Sequence, residues 1–224
     1  NFLSNAKEGE SIPLSFDTYS KNFWLNPKSV FNRMNQAKKF EFLKDLFQKG
    51  QKTKLELLDV IDAIEAIDVP TSAKRHFTTQ LFADMAAVGK RASGTRYVLT
   101  DSKGDMFSFS DLEKMNLTRP EGDKGVFEHT KPANRVAVAA YAYVKSKDSK
   151  IREVLLQELE TFDSALITES MDDSLRDLKL QSKMGLDYNS TDSPMVTRYR
   201  ELISSLSDQG VFFYDIKTDK LITP

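Results

Sequence analysis

The 224-residue chain has 40% hydrophobic, 29% charged and 10% aromatic residues, a composition typical of a globular protein. No apolar run approaches the ~20 residues of a membrane-spanning helix, which excludes such a segment. The absence of cysteine excludes disulfides, thiol catalysis and thiolate metal sites. A formal net charge of −1 argues against a protein dedicated as a whole to binding polyanions.

Charge is distributed unevenly along the chain. Residues 33–54 carry seven lysines and arginines against two acidic residues, and residues 74–103 carry six against two. Residues 151–215 have the opposite balance, with six basic and thirteen acidic residues. Such asymmetry indicates a polyanionic or acidic partner for the basic part of the chain.

The first 29 residues are predicted to form an extended N-terminal arm. Two prolines disfavour a helix there, and the large apolar side chains between positions 16 and 25 are unusual for a free tail. We expect the arm to dock onto this chain or onto a neighbouring subunit. The side chains expected to dock are those of Phe16, Tyr19, Phe23 and Trp24.

The N-terminal end of the sequence also bears on location. The chain begins at Asn1 and shows neither the basic flank nor the apolar run of a signal peptide. We therefore expect a processed or partial product, located in the cytoplasm or in a virion rather than secreted through a signal peptide.

Residues 40–109 are predicted to form three helices followed by a hairpin. Apolar residues recur at spacings of three and four over residues 40–47, 54–67 and 72–88, and Gly50 is expected to end the first helix. A strand over residues 96–100 leads through a glycine-containing turn into a return strand. In this order of elements, a basic third helix is followed by a strand that begins with an arginine. This arrangement resembles the winged helix-turn-helix family.

The resemblance implies a DNA-binding module that places its third helix in a groove of nucleic acid. Base contacts usually lie in the first turns of such a helix, and basic residues around it contact phosphates. The same side chains are also compatible with a solvated helix surface. The residues expected to contact nucleic acid are Lys74, Arg75, Thr78, Thr79, Gln80, Arg91, Arg96 and Lys103.

The rest of the chain is predicted to form a second module. Residues 120–132 are rich in glycine, proline and charge, and are predicted to link a winged-helix-like module over residues 30–119 to a helical module over residues 133–224. The second module is predicted to end in a hairpin over residues 211–223. The sequence thus predicts an α+β protein that is predominantly α-helical. Helices of the second module are predicted over residues 134–144, 150–162, 173–184 and 195–207.

The sequence contains no nucleotide-binding loop, metalloprotease motif or clustered histidines, and we expect neither a cofactor nor a metal site. The favoured interpretation is a non-catalytic nucleic-acid-binding protein of the transcription or replication factor type. The alternative is a structural or assembly protein of a virus particle or another large complex, which docks onto protein subunits through the arm and helices. A third possibility is an enzyme whose active site consists of acidic and basic residues that form no known motif.

Overall fold

The computed structural model describes residues 30–119, 123, 125–178 and 193–224, except for residues 93 and 94, and beyond residue 81 it describes the third helix as backbone alone. Helices make up most of the described chain. They are α1 (Val30–Arg33), α2 (Gln36–Ala66), α3 (Thr71–Ala92), α4 (Phe109–Lys114), α5 (Ala133–Ser146), α6 (Ser149–Glu160), α7 (Glu169–Asp177) and α8 (Pro194–Ser207).

The strands form one five-stranded sheet in the order β2-β3-β1-β4-β5. The central strand β1 runs parallel to β3 and antiparallel to β4, and the outer pairs β2–β3 and β4–β5 are antiparallel. Every residue of β3 is buried, as expected of an interior strand that is covered on both faces. The strands are β1 (Thr95–Thr100), β2 (Gly125–His129), β3 (Ser164–Thr168), β4 (Phe212–Asp215) and β5 (Lys220–Ile222).

The first two predicted helices form the single 31-residue helix α2, so the predicted end at Gly50 is wrong. Asn35 caps this helix by accepting a hydrogen bond from the Lys38 backbone N at 3.0 Å. Gly50 is buried in its interior. A glycine inside a helix costs only about 1 kcal/mol, and the buried leucines and phenylalanine on either side of it outweigh that cost.

The two predicted hairpins differ in outcome. The C-terminal hairpin is confirmed, because β4 pairs with β5 through a short turn. The first hairpin forms only in part. Both edges of β1 pair with strands that are distant in the sequence, so the predicted return strand makes a single bridge, between Met106 and Thr100. In the turn between them, Gly104 has a positive φ of 87°, a conformation that glycine adopts without strain.

The sheet draws strands from both predicted modules. Residues 125–129 of the predicted linker form β2, which pairs with β3 along its whole length. The prediction of a mainly helical chain with a smaller β component is confirmed, whereas a winged-helix arrangement is not.

Two hydrophobic clusters divide the described chain into two layers. In the sheet layer, the sheet packs with α7, α8 and the first half of α2. In the helical layer, the second half of α2 packs with α5 and α6, and Leu81 of α3 lies against them. Because α2 belongs to both clusters, it connects the two layers.

Candidate functional site

A network of buried charges lies where the two layers meet. Asp163, just before β3, is 2% exposed. Lys54 of α2 donates from Nζ to its Oδ1 at 2.6 Å, and Arg96 of β1 donates from a guanidinium nitrogen to its Oδ2 at 2.9 Å. Burial lowers the pKa of Lys54, and Asp163 offsets part of that effect. The carboxylate thus ties α2 to the sheet.

Arg96 also binds a second buried carboxylate. Its Nε and one terminal nitrogen donate to the two oxygens of Asp215 in β4, each at 2.8 Å. Burial lowers the pKa of Arg96, but its hydrogen bonds to Asp215 and Asp163 outweigh burial, so that its pKa is raised overall. The bidentate geometry is the strong form of an arginine–carboxylate pair.

A similar cluster lies at the base of α5 and α6. Glu158 accepts a hydrogen bond from Lys131 Nζ at 2.7 Å and from Arg135 at 3.1 Å. Burial raises the pKa of Glu158, but these two partners outweigh it, so that its pKa is lowered. In both clusters the carboxylates bind basic groups of the chain itself. Asp163 connects the two layers, whereas Glu158 connects α6 to α5 and to Lys131 just before α5.

Sequence reasoning did not identify these clusters as sites. The partners Lys54 and Asp163 lie 109 positions apart, and no local pattern connects them. One signal was present: Asp215 follows an apolar run and occupies an inward position of β4, two residues after buried Phe213. A charged residue at such a position requires a buried partner.

Two of the residues expected to contact nucleic acid point inward from α3. Lys74 is buried, and its Nζ donates to the backbone oxygen of Glu65 at the end of α2. Thr78 is buried as well, and its Oγ1 donates to the Lys74 backbone oxygen at 2.9 Å. The long aliphatic part of a lysine can be buried in this way while its ammonium finds a partner. Neither side chain is exposed to a nucleic acid.

Other predicted contacts lie on the outer side of α3. Thr79 and Gln80 are exposed. Arg75 is exposed too, and its guanidinium lies over the ring of Tyr141 in α5, 5.1 Å from the centroid. Arg91 lies in α3, but its side chain is outside the described residues.

The two remaining contacts do not join this surface. Arg96 belongs to the network of buried charges between the two layers, whereas Lys103 is exposed in the turn after β1. That turn leads to Met106, which binds Gln36 at the start of α2, and Lys74 lies at the other end of α2. A helix of 31 residues is about 45 Å long, so the turn lies far from the first turns of α3 and does not form one contact surface with them.

The predicted docking residues Phe16, Tyr19, Phe23 and Trp24 lie outside the described residues. The structure does describe an open groove between α5 and α6. Most of its lining is apolar and includes two alanines, while Asn134, Arg135 and Glu158 line one end. Its walls include Val138, which is 67% exposed, and Val154, which is 48% exposed.

Val154 is exposed although it follows Ile151 by three residues, a spacing that places both near one side of α6. Leu155 and Leu159 take the inward positions of α6 and join the core of the helical layer. Val154 therefore lies at the boundary of the apolar face, where it contributes to the groove. Isolated exposed apolar residues are normal on a protein surface, but Val138 and Val154 lie together on the walls of one groove.

No family model, curated protein or solved structure matches this chain. Among the residues that the structure describes, no helix combines the length and the apolar character needed to cross a membrane. Over the same residues, no group of three or more histidine, aspartate or glutamate side chains is placed to hold a metal ion.

Proposed function

We propose that this protein is a structural or assembly protein, which works by associating with protein subunits, in the simplest case with copies of itself. The observation that carries the proposal is the open apolar groove between α5 and α6, with Val138 and Val154 exposed on its walls. Covering such a surface removes apolar area from water, which is the main driving force of protein association. The apolar N-terminal arm supports the same interpretation from the sequence.

The arrangement of charge is compatible with an assembly role. Arg96 and Lys74, two of the basic residues expected to contact nucleic acid, make internal contacts. At the base of the groove, Arg135 and Glu158 pair with each other at 3.1 Å. The groove therefore favours an apolar, uncharged segment over a highly charged partner.

Placing charge on the groove is expected to prevent association. In the double variant Val138→Lys/Val154→Lys, binding would bring two ammonium groups into an apolar contact, and the dissociation constant should rise tenfold or more, about 1.4 kcal/mol. Size-exclusion chromatography with light scattering measures the mass at several protein concentrations.

The control for this experiment is Leu55→Lys. Leu55 is 62% exposed on α2 and does not line the groove, so this variant should associate as the wild type does. A wild type that is monomeric at every concentration, or a groove variant that associates equally well, would contradict the proposal.

Nucleic-acid binding is the second candidate function. The observation that favours it is the exposed outer side of α3, where Arg75, Thr79 and Gln80 lie within two turns of one another. Such side chains suit phosphate and base-edge contacts. The surface is smaller than a winged helix would offer, because Lys103 lies far from it.

If the outer side of α3 binds duplex DNA, each phosphate contact contributes roughly 0.9 to the slope of log affinity against log salt. Arg75→Ala is then expected to weaken binding and to lower the slope by about that amount. Fluorescence anisotropy with a mixed-sequence duplex measures both quantities, and Arg200→Ala, at an exposed arginine of α8, is the control. No binding at low salt, or an equal effect of both variants, would exclude this surface.

A further inference from the structure

The groove between α5 and α6 has a size suited to a few large side chains. Its volume is about 460 Å³, within the range of roughly 300–1,000 Å³ in which binding pockets usually fall. Ala139 and Ala142 contribute to the lining, and their small side chains leave space between the helices. Val138, Ile151 and Val154 complete its apolar surface.

The charged side chains of the groove are confined to one end. Arg135 and Glu158 line that end and form an ion pair at 3.1 Å. Glu158 also binds the buried Lys131 Nζ at 2.7 Å. A charged ligand would have to compete with these internal partners, whereas an uncharged apolar segment fills the remaining surface without disturbing them.

We infer that the occupant of the groove is the N-terminal segment of this same protein, residues 16–25. Within ten residues this segment contains five large apolar side chains, whose exposure to water would cost free energy. Its two charged residues, Asp17 and Lys21, have opposite charges, so the segment carries no net charge that would oppose an apolar contact. The five large apolar side chains are Phe16, Tyr19, Phe23, Trp24 and Leu25.

The segment of one copy can reach the groove of another copy whatever the length of its own connection. Residues 26–29 join Leu25 to Val30, where the described chain begins, and they span roughly 17 Å at most when extended. This distance is less than half the length of α2, so the connection favours docking on a second copy. The inference rests on the proposed function, since association between copies places the segment of one copy on the groove of the next.

The experiment uses the fact that Trp24 is the only tryptophan of the chain, so that its fluorescence reports on this segment alone. In the full-length protein, Trp24 should emit at a shorter wavelength than in a free peptide of residues 13–28, and acrylamide should quench it several-fold less. Val138→Lys, at a side chain that is 67% exposed, should shift the emission to longer wavelength and restore most of the quenching.

Two further variants complete the test. Val154→Lys should have the same effect as Val138→Lys, whereas Leu55→Lys, outside the groove, should leave emission and quenching unchanged. Circular dichroism verifies that each variant is folded. The inference is overturned if wild-type Trp24 is quenched as freely as the peptide, or if neither groove variant changes its emission.

The mass of the protein separates this inference from the proposed function. A monomer whose Trp24 responds to the groove variants supports docking within one chain and contradicts assembly. If the protein associates but the groove variants leave the emission of Trp24 unchanged, the inference is contradicted. The proposed function then stands, with association through residues other than the N-terminal segment.

Discussion

Replacing Asp163 by asparagine is expected to lower the free energy of unfolding by about 3–5 kcal/mol, as for other buried ion pairs that lose one partner. The side chain of Asp163 is 2% exposed and pairs with both Lys54 and Arg96. Asparagine has almost the same shape but no charge, so the two cations stay buried with less compensation. Urea unfolding at neutral pH, followed by circular dichroism, measures the loss.

The matched control is Asp45→Asn. Asp45 pairs with Lys49 at 3.0 Å, but both side chains are 46% exposed, so the loss should stay below about 1 kcal/mol. The double variant Lys54→Met/Asp163→Leu removes the pair and leaves Arg96 with Asp215. It should be more stable than Asp163→Asn, because no uncompensated charge is left. Equal losses in Asp163→Asn and Asp45→Asn would contradict this account of the junction.

Much of the helical structure follows from local patterns in the sequence. Helices α5, α6 and α8 and the C-terminal hairpin lie close to their predicted positions, because their periodicity is strong and their ends carry clear signals. Asp148, for example, caps α6 by accepting a hydrogen bond from the Lys150 backbone N at 2.8 Å. In contrast, β3 is a short apolar run, and periodicity cannot distinguish such a run from a buried helix segment.

The candidate site was much harder to predict, because it depends on contacts across the fold. The basic residues around Lys74 predict an exposed side chain, yet the end of α2 provides a backbone oxygen that binds its ammonium. The groove arises only where α5 packs beside α6, at side chains that are separated in the sequence. The order of helices and strand suggested a winged helix, but β1 pairs with strands from the second half of the chain, and no local pattern encodes that pairing.

Deleting residues 1–28 is expected to leave a folded chain that no longer associates. The truncated chain retains every described residue of both hydrophobic clusters, which run from Phe31 onward. The deletion removes five large apolar side chains, each worth ~1.5 kcal/mol or more when it is buried in a contact. A matched control deletes only residues 1–12, which keeps all five, and should associate as the full chain does.

Sedimentation velocity on the full chain and on these two truncated chains, over a wide range of protein concentration, tests the assembly proposal most directly. The full chain and the chain lacking residues 1–12 should sediment faster as concentration rises. The chain lacking residues 1–28 should remain at the monomer value throughout. A full chain that sediments as a monomer at every concentration, or a chain lacking residues 1–28 that associates as strongly as the full chain, would contradict the account.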